Sequence, residues 1–178
     1  MAPFATMELP AQARHDVYVM AGTVLERGRR HAVDGFFSRS HAVRLQAESA
    51  GAALFMYRDR ATRRSGDETW RFDELDWHEG DSPGMAVALL SKTHHRLALV
   101  SWRRGTRAAA HSHPHGEEIF VLRGKLCDER GAYPAGSWLR LHPGSNHRPY
   151  ADQDTLILLR NGHLPDPTRR TAPGPALR

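Results

Sequence analysis

In the second half of the chain, short apolar runs alternate with turn residues. Leu97–Trp102, Glu118–Leu122, Ser137–Leu141 and Leu156–Leu159 are rich in branched or aromatic side chains. Between and beside them stand Arg104-Gly105, Pro114 to Gly116, Arg130-Gly131, Pro134 to Gly136 and Pro143-Gly144. Short runs punctuated by Gly and Pro predict an all-β sandwich or barrel rather than a βαβ sheet. No segment predicts a helix longer than two turns, although Arg39 to Gly51 has a helix-compatible composition. Trp102 and Trp138, both on predicted strands, read as core aromatics.

The stretch His111 to Gly124, HSHPHGEEIFVLRG, carries the candidate chemistry. A strand places residues i and i+2 on one face, so His111 and His113 converge on one point. Glu117 follows the tight turn, where the next strand begins and runs back past that point. His147, in HPGSNHRP, stands at the start of another strand and is a fourth candidate. Three imidazoles and one carboxylate suit a divalent transition metal, Zn or Fe, with Mn or Ni also compatible. A divalent ion with one carboxylate leaves the site net positive, which favours an added anionic oxygen ligand. Strand alternation turns only one of Glu117 and Glu118 inward. His115 and His142 flank the site as turn residues.

The run from Gly105 through His111, His113 and Glu117 to Gly124 resembles the first motif of the cupins. Gly136 to His147, with Pro143-Gly144 before the histidine, resembles the second. His142 departs from the pattern, since cupins usually carry a proline there. The segments GEEIFVLRG, DERGAYPAGSWLR and HPGSNHRP are most similar to the ChrR-like cupin branch, which includes an anti-sigma-factor cupin domain and dioxygenase-type proteins. The resemblance runs from about Trp77 to Arg160. It implies a cupin (jelly-roll, RmlC-like) β-barrel, with His111, His113, Glu117 and His147 as metal ligands; the motif spacing favours Glu117 over Glu118. It also implies a homodimer.

The first half repeats the second faintly. His15 to Gly22 lies against Glu117 to Gly124, and Leu54 to Arg58 against Leu156 to Arg160, both at an offset of 102 residues. The four metal positions then fall on Leu9, Ala11, His15 and Leu45. A bicupin with a degenerate first lobe follows: lobe 1–58, connector 59–84, metal-binding lobe 85–162 and a tail over 163–178. Trp70, Phe72 and Trp77 in the connector argue for an ordered segment. His31 and His41 read as surface residues rather than ligands.

Composition adds boundaries. The net charge of +5 and pI near 10.0 invite a nucleic-acid reading, but arginines interleaved with acidic residues, as in Arg58-Asp59-Arg60, point to a solvated surface. No nucleic-acid partner is expected. No apolar run reaches membrane-spanning length, and Met1 to Met20 lacks a signal-peptide core, so no membrane partner and a cytoplasmic location are expected. Cys127, the only cysteine, rules out an intrachain disulfide and has no neighbouring motif that marks a nucleophile.

Three functions are open. The first is a small metal-dependent dioxygenase-type enzyme acting on a small oxygenated organic substrate. Arg140, Arg148, Tyr150 and Tyr133 are its candidate substrate-binding residues, because arginine holds an anionic oxygen pair in a bidentate manner. The second is a zinc-binding module that senses a ligand or oxidant without turnover. Anti-sigma proteins carry a separate helical zinc domain with His and Cys ligands, for which this chain shows no candidate. The third is a metal-free sugar isomerase or epimerase.

Overall fold

The computed structural model describes residues 1–59, 66–91 and 96–164; the expected tail beyond Leu164 lies outside them. The chain divides into two compact units, Met1–Asp76 and Trp77–Arg178. Among the described residues both units are built of antiparallel strands, and one 3-10 turn, Phe72–Glu74, is the sole helical element.

The first unit comprises β1 (Thr6–Leu9), β2 (Arg14–Glu26), β3 (Arg29–Ala32), β4 (Phe36–Arg39), β5 (Val43–Asp59) and β6 (Glu68–Trp70). They form one sheet in the order β1-β5-β2-β4-β6, with β3 on β2. The helix-compatible composition of Arg39 to Gly51 is overridden. Val43, Leu45 and Ala47 alternate with exposed Arg44 and Gln46, and this period of two buries one face of a strand. Leu9, Val17, Val19, Val24, Phe37, Val43 and Leu45 pack into the unit's core. Arg27 and Gly28, with φ of 48° and 82°, supply the two positive-φ positions that a two-residue hairpin loop between β2 and β3 favours.

The second unit comprises β7 (Trp77–Glu79), β8 (Met85–Ser91), β9 (Arg96–Trp102), β10 (His111–Ser112), β11 (Glu117–Arg123), β12 (Lys125–Asp128), β13 (Gly131–Pro134), β14 (Trp138–Leu141), β15 (Asn146–His147), β16 (Tyr150–Ala151) and β17 (Thr155–Asn161). A six-stranded sheet runs β14-β11-β17-β9-β8-β7; β13-β12-β16 and β10-β15 form two smaller ones. One core draws Val100, Ile119 and Ile157 from the large sheet and Leu126 and Ala151 from the three-stranded one. Burying each of these valine, isoleucine and leucine side chains stabilises the unit by roughly 1.5–3 kcal/mol. Trp102 belongs to this core, whereas Trp138 is 54% exposed. The segment read as a connector contributes an edge strand to each unit: β6 pairs with β4, and β7 with β8.

The faint repeat corresponds to a shared topology. The β2–β4 ladder pairs His15 with Arg39 and Val17 with Phe37; the β11–β14 ladder pairs Glu117 with Leu141 and Ile119 with Leu139, each residue 102 further on. The turn before the next strand matches bond for bond, Val19 N to Gly35 O against Val121 N to Ser137 O. The offset then drifts. Val24 faces Ala47 where Leu126 faces Ala151, and Leu9 faces Val43 where His111 faces His147. The counterpart of His147 is therefore Val43, not Leu45. Likewise His15 faces Arg58 where Glu117 faces Asn161, so Arg58 corresponds to Asn161 rather than Arg160. Bulges in the β2–β5 ladder, between Val19 and Ala21 and between Gly22 and Val24, change the register locally.

Candidate metal centre

His111 and Ser112 form β10 and pair antiparallel with Asn146 and His147 of β15, placing His111 opposite His147. His113 follows on the same face as His111. Its backbone closes the site: His113 N donates to Ser145 O at 2.9 Å, and His113 O accepts from Gly144 N at 2.9 Å and Gly116 N at 3.1 Å. Gly116 holds φ at 68°, and a Cβ there would stand 2.6 Å from Leu164 Cδ1. Only glycine makes this turn without displacing a neighbour.

The three rings stand 4.9 Å apart, centroid to centroid, in each pairing. One nitrogen from each lies within 4.8 Å of the other two, a cluster that could hold a metal ion. Each Nδ1 faces an acceptor. His111 Nδ1 donates to Ala109 O at 3.0 Å; His113 Nδ1 lies 3.5 Å from Glu117 Oε2 and His147 Nδ1 3.5 Å from Asp128 Oδ2. The Nε2 atoms of His113 and His147 are buried with no hydrogen-bond partner among the described residues. Burying polar atoms without partners costs free energy, and a bound cation would satisfy them. The donor set thus fits a metal. Burial and the neighbouring His113 and His111 push the His147 pKa down, outweighing Glu117 and Asp128. The neutral ring, the form able to ligate, is favoured.

Glu117 is buried and joins the lining of the cavity beside the histidines, although the three-histidine cluster forms without it. Glu118 is engaged elsewhere, 2.8 Å from His163 Nε2 and 3.6 Å from Arg140 Nε. Burial would raise its pKa, but the hydrogen bond from His163 and the charges of His163, Arg140 and Arg160 lower it. His115 and His142 are exposed turn residues outside the cluster. In the first unit His31 is buried and bonded to Glu26 at 2.9 Å, and is therefore not a surface residue; His41 lies 3.4 Å from Asp67.

The cavity measures about 350 Å³ and lies entirely within the second unit. Its apolar wall includes Val87, Val100, Ile119, Leu126, Ile157 and Leu159. A polar row crosses the large sheet: Glu117 on β11 faces Asn161 on β17, which faces Arg96 on β9. All three line the cavity.

None of Arg140, Arg148, Tyr150 and Tyr133 lines it. Arg140 is beside Glu118, and Tyr133 Oη donates to Asp128 at 3.0 Å. Arg148 and Tyr150 line a second, more open depression with Glu129 and Asn146, which His147 also borders. Arg96, Asn161 and Asp128 were not singled out in the sequence. Arg96 and Asn161 sit at the ends of strands whose pairing was not specified there, and Asp128 looks like an ordinary hairpin residue. The one available signal was Glu26, an acidic residue 102 positions before Asp128.

Solved structures share the fold. A Pseudomonas aeruginosa protein described as glyoxylate-induced superposes with a TM-score of 0.76 at 12% identity, over 90% of this chain and 71% of that one. A mutant of Bacillus subtilis oxalate decarboxylase gives 0.66 at 15% identity, over 91% and 67%. A Cupin 2 conserved barrel domain protein from Leptotrichia buccalis gives 0.60 at 14% identity, over 90% and 79%. No curated protein matches the chain. Residues 65–165, more than half of the sequence and including both cupin-like motifs, match the ChrR Cupin-like domain, and the chain belongs to that family of cupins.

Proposed function

We propose that the second unit binds one divalent transition-metal ion through His111, His113 and His147, with Glu117 as the carboxylate donor. On this reading it is a small metal-dependent enzyme of dioxygenase type, acting on a small oxygenated organic substrate. The observation that carries it is a cluster of three imidazoles, those of His113 and His147 buried, opening onto an otherwise largely apolar cavity of about 350 Å³. A bound ion there would supply Lewis acidity toward substrate oxygen atoms and, if redox-active, access to O2 chemistry. Iron and zinc remain the leading metals; work on the Mn(II) centres of Bacillus subtilis oxalate decarboxylase adds support for manganese as a third.

The chain's own residues do the rest. The apolar wall excludes water and accepts the carbon body of the substrate. Arg96, at the exposed end of the polar row, holds an anionic or strongly polar oxygen, and Asn161 offers both a donor and an acceptor beside it. This row takes over the role that sequence reasoning gave to Arg140 and Arg148, because it lines the cavity and they do not.

The test is oxygen uptake by the metal-loaded protein with small diketones and phenolic ketones, beside Arg96→Ala. Substrate-dependent uptake with a raised KM in Arg96→Ala supports the reading. Tightly held zinc with no turnover would instead support the sensing module.

A further inference from the structure

Asp128 closes β12 where the hairpin to β13 begins, and its two oxygens have different fates. Oδ1 accepts three hydrogen bonds, from Arg130 N at 2.8 Å, Gly131 N at 3.1 Å and Tyr133 Oη at 3.0 Å. Those bonds lock the carboxylate in place. Oδ2 is buried with no hydrogen-bond partner, 3.5 Å from His147 Nδ1, which is itself buried and unpartnered among the described residues. Both side chains are only 1% exposed. Among the described residues no arginine or lysine pairs with Asp128, and a buried carboxylate without a cation is costly.

The first unit shows what that position otherwise requires. Glu26, 102 residues earlier, also closes a strand at a two-residue hairpin. It is neutralised by Arg39 Nε and Nη2, each at 2.6 Å, and bonded to His31 at 2.9 Å. In the second unit Leu141 takes the place of Arg39, while His147 takes that of Val43. The guanidinium has gone where the imidazole has arrived.

Resting on the metal reading above, we infer that Asp128 is a positioning residue. It fixes His147 with the proton on Nδ1 and the Nε2 lone pair toward His111 and His113, and a cation at that centre compensates its charge through the ring. A carboxylate only accepts hydrogen bonds, so Nδ1–H is the one complementary tautomer. Partners of this kind typically change metal affinity by about 10–100-fold.

The experiment titrates Zn²⁺ into metal-stripped wild type and Asp128→Asn by chelator competition, and records the metal-free melting temperature of both. The expected result is zinc binding by wild type and a 10–100-fold weaker Kd in Asp128→Asn, with metal-free melting temperatures too close to explain it. Zinc binding within twofold of wild type overturns the inference and leaves the metal reading standing; no binding by wild type overturns both. Long-range ¹H–¹⁵N spectra of zinc-loaded wild type give a check that needs no variant. A proton on His147 Nδ1 supports the inference, and a proton on Nε2 with zinc on Nδ1 overturns it.

Discussion

His147 stands opposite His111 across a two-residue ladder, ring centroids 4.9 Å apart. In the first unit the same pairing joins Val43 to Leu9, both buried in the core. One topology thus holds a pair of candidate ligands in one unit and an apolar contact in the other. His147→Val, which installs the first unit's residue, should abolish the rise in melting temperature that zinc gives wild type. It removes a nitrogen donor outright, so metal affinity should fall by more than the ~10–100-fold of an outer-shell change. Differential scanning fluorimetry with and without Zn²⁺ reads this, and an undiminished shift would contradict the assignment.

Arg39 and Glu26 form a bidentate ion pair with both side chains 6% exposed. Removing one partner of a buried pair leaves an uncompensated charge and destabilises by about 3–5 kcal/mol, whereas replacing both with apolar groups is often neutral. Arg39→Leu should therefore lower the urea midpoint substantially, and Arg39→Leu with Glu26→Leu should recover much of it. Equal losses in the single and double variants would contradict this.

The same cluster sets an acid limit. Burial lowers the His31 pKa from its ordinary 6.5, outweighing the hydrogen bond and charge of Glu26. Burial would raise Glu26, but hydrogen bonds from Arg39 and His31 hold it below 4.5. Both groups bind protons less readily folded than unfolded, so stability falls as the pH is lowered. The His31 contribution is present above about 6.5 and fades below it; the Glu26 contribution fades below 4.5. Hydrogen exchange at the Val17 and Val19 amides should quicken on going from pH 7.5 to 5.5 after correction for the intrinsic rate. His31→Tyr should flatten that dependence.

How much of this was legible in the sequence follows from where the determinants lie. The four second-half strands and the three histidines are local signals: apolar runs between turn residues, and HxH spacing on one strand. The first part of β5 was not legible, because Ala, Arg, Gln and Glu between residues 39 and 51 are good helix formers and the Val43–Leu45–Ala47 alternation is short. The repeat was legible to within two residues, since bulges shift register without leaving a sequence mark. Arg96 was missed for a similar reason: its place beside the site depends on β9 pairing with β17, whereas Arg140 and Arg148 looked close only along the chain.

Two glycines separate backbone strain from steric conflict. Gly124 and Gly105 both hold positive φ, 76° and 87°. A Cβ on Gly124 would collide with Asp154 O, while one on Gly105 meets nothing within 4 Å. Gly105→Ala should cost about 1–2 kcal/mol for the left-handed conformation alone, and Gly124→Ala clearly more. Equal shifts in melting temperature would contradict the geometry.

Everything proposed for the second unit depends on the three-histidine cluster holding a metal ion. The most direct test is metal analysis by mass spectrometry of untagged protein, purified without added metal, beside His111→Ala. About one equivalent of a transition metal per chain is expected, as a single site holds one ion, together with its loss in the variant. A folded wild-type protein that neither carries a metal nor takes one up would contradict it.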